Sequence, residues 1–227
     1  MTVACFPDFL SQKVGNARIC AAVALLASVG SDLLANPDEL FGRPDCKISK
    51  DQRKIKVGRI DLLIDGVSTG VYLKRYNAFS ARYRIGSLVL SSGAVKSVRG
   101  AEILSRAGIS TATPLASIER RSWGILNSSF FLSKEIIRGK TADAYWRENL
   151  TPIRGAEGFR HRRRFLKALA SLFVGLHEHG IYHNDLKDVN ILVHDGSSGE
   201  HFALLDLEGV RHCWYLSRRR RVKTWFS

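Results

Sequence analysis

Two short apolar runs near the C-terminal end constrain this chain more than any other feature. Ile191-Leu192-Val193-His194 and His201-Phe202-Ala203-Leu204-Leu205-Asp206-Leu207 flank the turn sequence Asp195-Gly196-Ser197-Ser198-Gly199. Short strand-like runs around Gly and Ser are expected to pair as strand-turn-strand. That pairing presents Asn190 and Asp206 side by side. Just upstream lies Tyr182-His183-Asn184-Asp185-Leu186-Lys187-Asp188-Val189, so a carboxylate, an ammonium and an amide stand at fixed offsets before the hairpin.

That set of groups has a chemical use. Phosphoryl transfer needs a carboxylate to take the proton of the acceptor hydroxyl, and an amide and a second carboxylate to hold Mg²⁺ on the phosphates of ATP. His183, Asp185 and Asn190 fit the catalytic-loop pattern H-x-D-L-x-x-x-N. Asp185 is the expected base, and Lys187 would offset charge on the transferring group. Asn190 and Asp206 are the expected metal ligands. Asp206-Leu207-Glu208 departs from D-F-G at its third position, so no glycine switch is expected there. Asn184 stands where H-R-D has Arg, which argues against control by loop phosphorylation and favours a sugar or small-molecule acceptor over a peptide.

The same chemistry requires a cation for the nucleotide phosphates farther upstream. Val71-Tyr72-Leu73-Lys74-Arg75-Tyr76 alternates like a strand after a turn at Asp65-Gly66. Lys74 is the candidate, and Arg75 should point to the opposite face. Arg99–Gly108 reads as a helix stopped by Gly108, and its Glu102 is the candidate partner of Lys74. No G-x-G-x-x-G precedes Lys74. The basic segment Lys47–Val57 stands where such a loop would be.

With these residues in view, the chain resembles the bacterial lipopolysaccharide core kinases, the heptose and Kdo kinases. The likeness rests on Tyr72-Leu73-Lys74-Arg75-Tyr76-Asn77, Arg99-Gly100-Ala101-Glu102, Gly108–Pro114, His183-Asn184-Asp185-Leu186 and Leu216-Ser217-Arg218-Arg219-Arg220-Arg221. It implies an α+β, protein-kinase-like fold in two lobes: a small antiparallel N-lobe sheet with one helix, and a mainly helical C-lobe. It implies transfer of the γ-phosphoryl group of ATP, with Mg²⁺, to a sugar hydroxyl of the lipopolysaccharide inner core. The implied setting is cytoplasmic, peripheral on the inner face of the inner membrane. By motif position, Lys74 and Glu102 carry over as the phosphate-binding pair, Asp185 as base, and Asn190 and Asp206 as metal ligands. Only 21 residues follow Asp206, so a shortened C-lobe is expected, as in a naturally short or a truncated member. The rival readings are another kinase of the same fold, or an inactive pseudokinase that binds anionic surfaces.

Composition bounds the partners. The formal net charge is +14, which favours polyanions such as an anionic membrane surface or a phosphorylated saccharide. Aromatic residues beside Arg218–Arg221 and Lys223 suit a lipid interface, and no nucleic-acid-reading module is recognisable. A second basic cluster, Arg160, Arg162, Arg163, Arg164 and Lys167, reads equally well as solvated surface. The four cysteines are scattered, which suggests reduced thiols. The histidines His177 and His179 fall on different helix faces, so no zinc site is expected, and His183 should pack beneath the loop. Residues 1–45 read as a helical accessory segment that includes the apolar run Ile19–Val29. Residues 46–137 read as the N-lobe, with strand-like runs at Arg59–Asp65, Gly70–Tyr76, Gly124–Asn127 and Phe130–Ile137. Residues 138–227 read as the C-lobe, whose apolar helix through Phe165, Leu169, Phe173 and Leu176 is stopped by Gly180. A hinge is expected at Ile137–Lys140, where Gly139 supplies freedom.

Overall fold

The computed structural model describes residues 6–78, 80–196 and 199–214. The basic tail Arg218–Arg221 with Lys223, its aromatic neighbours Tyr215, Trp225 and Phe226, and the turn residues Ser197 and Ser198 lie outside them.

The chain divides into two compact units. The first comprises residues 1–99 and 113–135, the second residues 100–112 and 136–227. Strands and helices are segregated around antiparallel sheets, the α+β arrangement expected.

The first unit is built on seven strands. They are β1 (Phe9–Val14), β2 (Ala17–Ala22), β3 (Lys47–Asp51), β4 (Ile55–Ile64), β5 (Val67–Asn77), β6 (Pro114–Ser122) and β7 (Ile125–Lys134). Their order is β1-β2-β6-β7-β5-β4-β3, and every neighbouring pair is antiparallel. Strand β4 shows the pleat: Ile60, Leu62 and Ile64 are buried, while Asp61 and Leu63 between them are exposed. The buried side chains meet three short helices, α1 (Val23–Val29), α2 (Ser31–Ala35) and α3 (Asp38–Gly42). Leu25, Leu34 and Leu40 from these helices join Ile60, Leu73, Ile118 and Phe130 in one core. After β5 come α4 (Ala81–Gly86) and α5 (Gly93–Arg106). The N-terminal part of α5 approaches Tyr76 so closely that a Cβ at Gly93 would lie 2.6 Å from its ring. The Tyr76 hydroxyl and Ser97 Oγ are 2.9 Å apart.

The second unit contains the C-terminal half of α5. It adds β8 (Lys140–Thr141), α6 (Ala142–Tyr145), a π-helical turn Trp146–Leu150 and the long α7 (Gly155–Glu178). Then come β9 (Ile181–His183), β10 (Ile191–Gly196), β11 (Gly199–Leu204) and β12 (Val210–His212). These strands form two small sheets, β11-β10-β8 and β12-β9. Phe165 of α7 is buried against Tyr145, Trp146 and Phe202, with ring centroids 5.4 to 5.7 Å apart. Gly108 and Gly180 take φ of +68° and +63° where α5 and α7 stop, as the two glycine signals predicted.

Several expectations are corrected. Residues 1–45 are not a purely helical accessory: β1 and β2 lie within them and join the sheet through the β2–β6 pairing. The run Ile19–Val29 is half strand and half helix, because sheet burial outweighs the helix preference of its alanines. The two runs Gly124–Asn127 and Phe130–Ile137 are joined in the single strand β7, which spans only Ile125–Lys134 of them. The strand Pro114–Ser122, with Arg and Glu near its exposed end, escaped the reading. At the expected hinge the left-handed residue is Arg138, φ 59°. Gly139 instead allows close packing, since its Cβ would stand 3.2 Å from Leu192. Cys46 and Cys213 are free thiols, but Cys20 is disulfide-bonded. Wide spacing in sequence says nothing about proximity in space, which is what a disulfide requires. Among the described residues, no helix is long and apolar enough to cross a membrane.

Candidate active site

Two small pairings bracket the loops that carry the expected catalytic groups. Strands β10 and β11 pair with Ile191 opposite Leu204, so Asn190 and Leu205 emerge together. The Leu205 N–H donates to the Asn190 carbonyl at 2.8 Å. On the other side β9 pairs with β12, His183 opposite Val210. The Asn184 N–H donates to the Gly209 carbonyl at 3.0 Å. Residues 184–190 and 205–209 are thereby fixed at both ends to each other. Thr111 reinforces the frame by donating its hydroxyl to the Leu204 carbonyl at 2.7 Å.

His183 locks the loop from beneath. Its side chain is fully buried. Nδ1 lies 3.2 Å from the Asp185 N–H, and Nε2 lies 3.3 Å from the Leu205 carbonyl. An amide N–H can only donate and a carbonyl can only accept. These partners therefore require a neutral imidazole with its proton on Nε2. Burial pushes the His183 pKa below its ordinary value, in keeping with that tautomer. Gly209 makes room for the ring, because a Cβ there would stand 3.0 Å from Cε1.

Asn190 closes the loop from its other end. Its Nδ2 donates to the Asp185 carbonyl at 2.9 Å, and its N–H donates to Lys187 O at 2.9 Å. With Nδ2 committed inward, Oδ1 is the atom left to bind a ligand. Lys187 Nζ stands 2.8 Å from Asp185 Oδ1. That hydrogen bond raises the Lys187 pKa, so the ammonium stays charged. Both side chains are half exposed, which suits groups that meet a substrate.

Asp206 sits in the left-handed region, φ 53° and ψ 52°. A non-glycine residue there costs about 1 kcal/mol, and such strain concentrates at functional positions. The following turn, Leu207–Gly209, packs under α5 at Gly100, whose Cβ would lie 2.2 Å from the Leu207 carbonyl oxygen. Sequence reasoning missed this contact. Its one trace was a glycine in mid-helix, a costly residue unless something needs the space.

Asp185, Lys187, Asn190 and Asp206 thus share one hydrogen-bonded frame in the second unit. The oxygen donors of Asn190 and Asp206 suit a hard cation such as Mg²⁺. Lys74 lies in the first unit on β5, opposite Val57 and Phe131. Its ammonium stands over the Tyr76 ring, 5.1 Å from the centroid. Arg75 serves the other face, donating to Asp38 of α3 at 2.8 Å, as the strand alternation predicted. Glu102 falls in the second unit, where it accepts from Arg106 one helical turn on, at 2.6 Å. The basic segment Lys47–Val57 forms the hairpin of β3 and the start of β4. In the basic cluster of residues 160–167, Arg162 is structural, donating to the carbonyls of Leu150 and Ile153. Arg164 pairs with Glu200 at 3.2 Å.

Residues 79–224, more than half of the chain, match the family model "Lipopolysaccharide kinase (Kdo/WaaP) family". No match is found among curated proteins. Among solved structures, "WaaP in complex with acyl carrier protein" aligns with a TM-score of 0.59 at 20% identity, covering 87% of this chain and 76% of that one. At that identity the likeness speaks for the fold.

Proposed function

Since the chain belongs to the lipopolysaccharide kinase (Kdo/WaaP) family, we propose that it transfers the γ-phosphoryl group of ATP to a sugar hydroxyl of the lipopolysaccharide inner core. The observation that carries this reading is the frame joining Asp185, Asn190 and Leu205: Asn190 binds the Asp185 carbonyl through its side chain and the Leu205 N–H through its backbone.

In this reading the Asp185 carboxylate orients the acceptor hydroxyl and takes its proton. Lys187 holds positive charge beside the transferring group. Asn190 Oδ1 and the Asp206 carboxylate hold Mg²⁺, which when bound neutralises charge on the phosphates. The Asp206 backbone, strained and braced by Leu207–Gly209, fixes the direction of that carboxylate before substrate arrives. By motif position Lys74 binds the α- and β-phosphates, and Glu102 is its positioning partner. We read residues 46–137 as the N-lobe of a kinase-like fold and 138–227 as the C-lobe, with residues 1–45 contributing β1 and β2. The enzyme works at the cytoplasmic face of the inner membrane, bound peripherally to anionic lipid.

The test is transfer of label from γ-labelled ATP, with Mg²⁺, to deacylated core oligosaccharide, with a generic protein as the competing acceptor. Label on the oligosaccharide alone is expected. Label on the protein alone would assign the chain to a different kinase activity.

A further inference from the structure

The first unit carries an apolar ridge that its own fold leaves uncovered. The ridge joins the turn after α4 to the two-residue hairpin turn Trp123-Gly124 between β6 and β7, where Ser122 pairs with Ile125. Val89 is 89% exposed and Trp123 is 100% exposed, with Ile85, Leu88 and Leu90 exposed alongside. These are not loose ends. Ser87 is buried, and its Oγ accepts from the Leu126 N–H at 3.0 Å. One guanidinium nitrogen of Arg121 donates to the carbonyls of Ser87 and Gly124, at 3.1 and 2.8 Å. The two turns are thereby tied together, and the apolar side chains stand out from a braced base.

Trp123 carries two costs at once. Its φ of 53° is left-handed, in a turn where Asn or Gly is the favoured residue. Its indole is also wholly in water. Among the described residues, nothing offsets either cost. A residue kept under such conditions points to a contact made outside the chain.

The chemistry of the surroundings selects the partner. Residues 66–101 contain no Asp or Glu, nor do residues 120–134. The neighbouring acid, Glu119, is closed onto Arg121 through two hydrogen bonds of 3.0 and 3.2 Å. Arg84 is exposed beside the ridge. The five ridge residues present Trp and aliphatic side chains, with no carboxylate or amide to pair with a protein surface. Trp with aliphatics, beside the exposed cation Arg84 and free of acids, is the composition of a segment that enters a bilayer interface.

We propose that this ridge inserts into the headgroup region of an anionic lipid bilayer and holds the enzyme at the surface that displays its substrate. The inference rests on the kinase reading for its purpose, since a glycan anchored in a bilayer must be met at that bilayer. Its binding test stands apart from catalysis. The probe is a flotation assay with vesicles of phosphatidylcholine containing about one-third phosphatidylglycerol, using the full chain and its Trp123→Asn, Val89→Asn and doubly substituted variants. Asn accepts the left-handed turn, and all three variants keep the charge of the parent, so unaltered thermal melting is expected. Trp123→Asn should weaken vesicle partition by about tenfold or more, and the double variant should weaken it further. The blue shift of indole emission on vesicle binding should shrink in Trp123→Asn. Label transfer to soluble deacylated core should be unchanged.

Unchanged partition in the double variant would overturn the proposal, even with transfer intact. Equal binding to pure phosphatidylcholine would overturn its anionic selectivity. A dimer of the parent, seen by light scattering and lost in Trp123→Asn, would give the ridge to a second copy instead.

Discussion

Replacing Gly100 by Ala probes how tightly α5 controls the loop proposed to bind the metal. The new methyl carbon would lie 2.2 Å from the Leu207 oxygen, 3.1 Å from its carbonyl carbon and 3.2 Å from its Cβ. A carbon–oxygen contact needs about 3.3 Å, so one partner must retreat by about 1 Å. The helix is poorly placed to yield, because Ala101 and Leu104 on the same turns are fully buried. The turn after Asp206 should yield instead. Overpacking costs about 1–3 kcal/mol, and removing a helical glycine returns about 1 kcal/mol. The net loss of stability is therefore about 0–2 kcal/mol, a fall in Tm of at most about 8 °C. Displacing Asp206 by about 1 Å should cost far more in catalysis, about 100-fold in kcat. The assay is Mg²⁺-dependent label transfer alongside thermal melting. Gly175→Ala is the matched control: it lies inside α7 with nothing near its added Cβ. It should gain about 1 kcal/mol and leave turnover unchanged. A Gly100→Ala enzyme that keeps turnover within about threefold of the parent would refute the reasoning.

Two further predictions concern the same loops. Asp206→Asn keeps a side chain that tolerates the left-handed backbone while removing the charge. It should melt like the parent without ligand and lose the Mg-ATP-dependent rise in Tm, whereas an undiminished rise would take Asp206 out of the metal site. His183 has a folded pKa below its ordinary value of 6.5, so the unfolded chain takes the proton first as pH falls. Its contribution to stability is complete above 6.5 and declines as pH drops from there towards the lower folded value. Urea midpoints at about pH 7.5 and about pH 5.5 should fall further apart in the parent than in His183→Gln, and equal spacing would contradict the neutral, Nε2-protonated assignment.

Legibility in the sequence followed how local the physics was. The hairpin of β10 and β11, the glycine stops of α5 and α7 and the opposed faces of Lys74 and Arg75 rest on period and turn chemistry within a few residues. All were readable. Strand β2 was not, because its alanine-rich sequence becomes strand through pairing with β6, about a hundred residues away in sequence, and β1 joins the sheet only through β2. The seating of Gly100 on Leu207 is likewise a contact between distant segments. Within the candidate site, the spacing of Asp185, Asn190 and Asp206 foretold that these residues come together in one frame. The tautomer of His183, the inward commitment of Asn190 Nδ2 and the left-handed backbone of Asp206 needed coordinates, since each depends on a backbone partner that spacing alone does not locate.

The account stands or falls on the carboxylate proposed to take the hydroxyl proton. Asp185→Ala should bind Mg-ATP with near-parental affinity in a thermal shift titration, yet transfer no measurable label to deacylated core oligosaccharide. Phosphorylation of the oligosaccharide at near-parental rate by that variant would contradict the central claim.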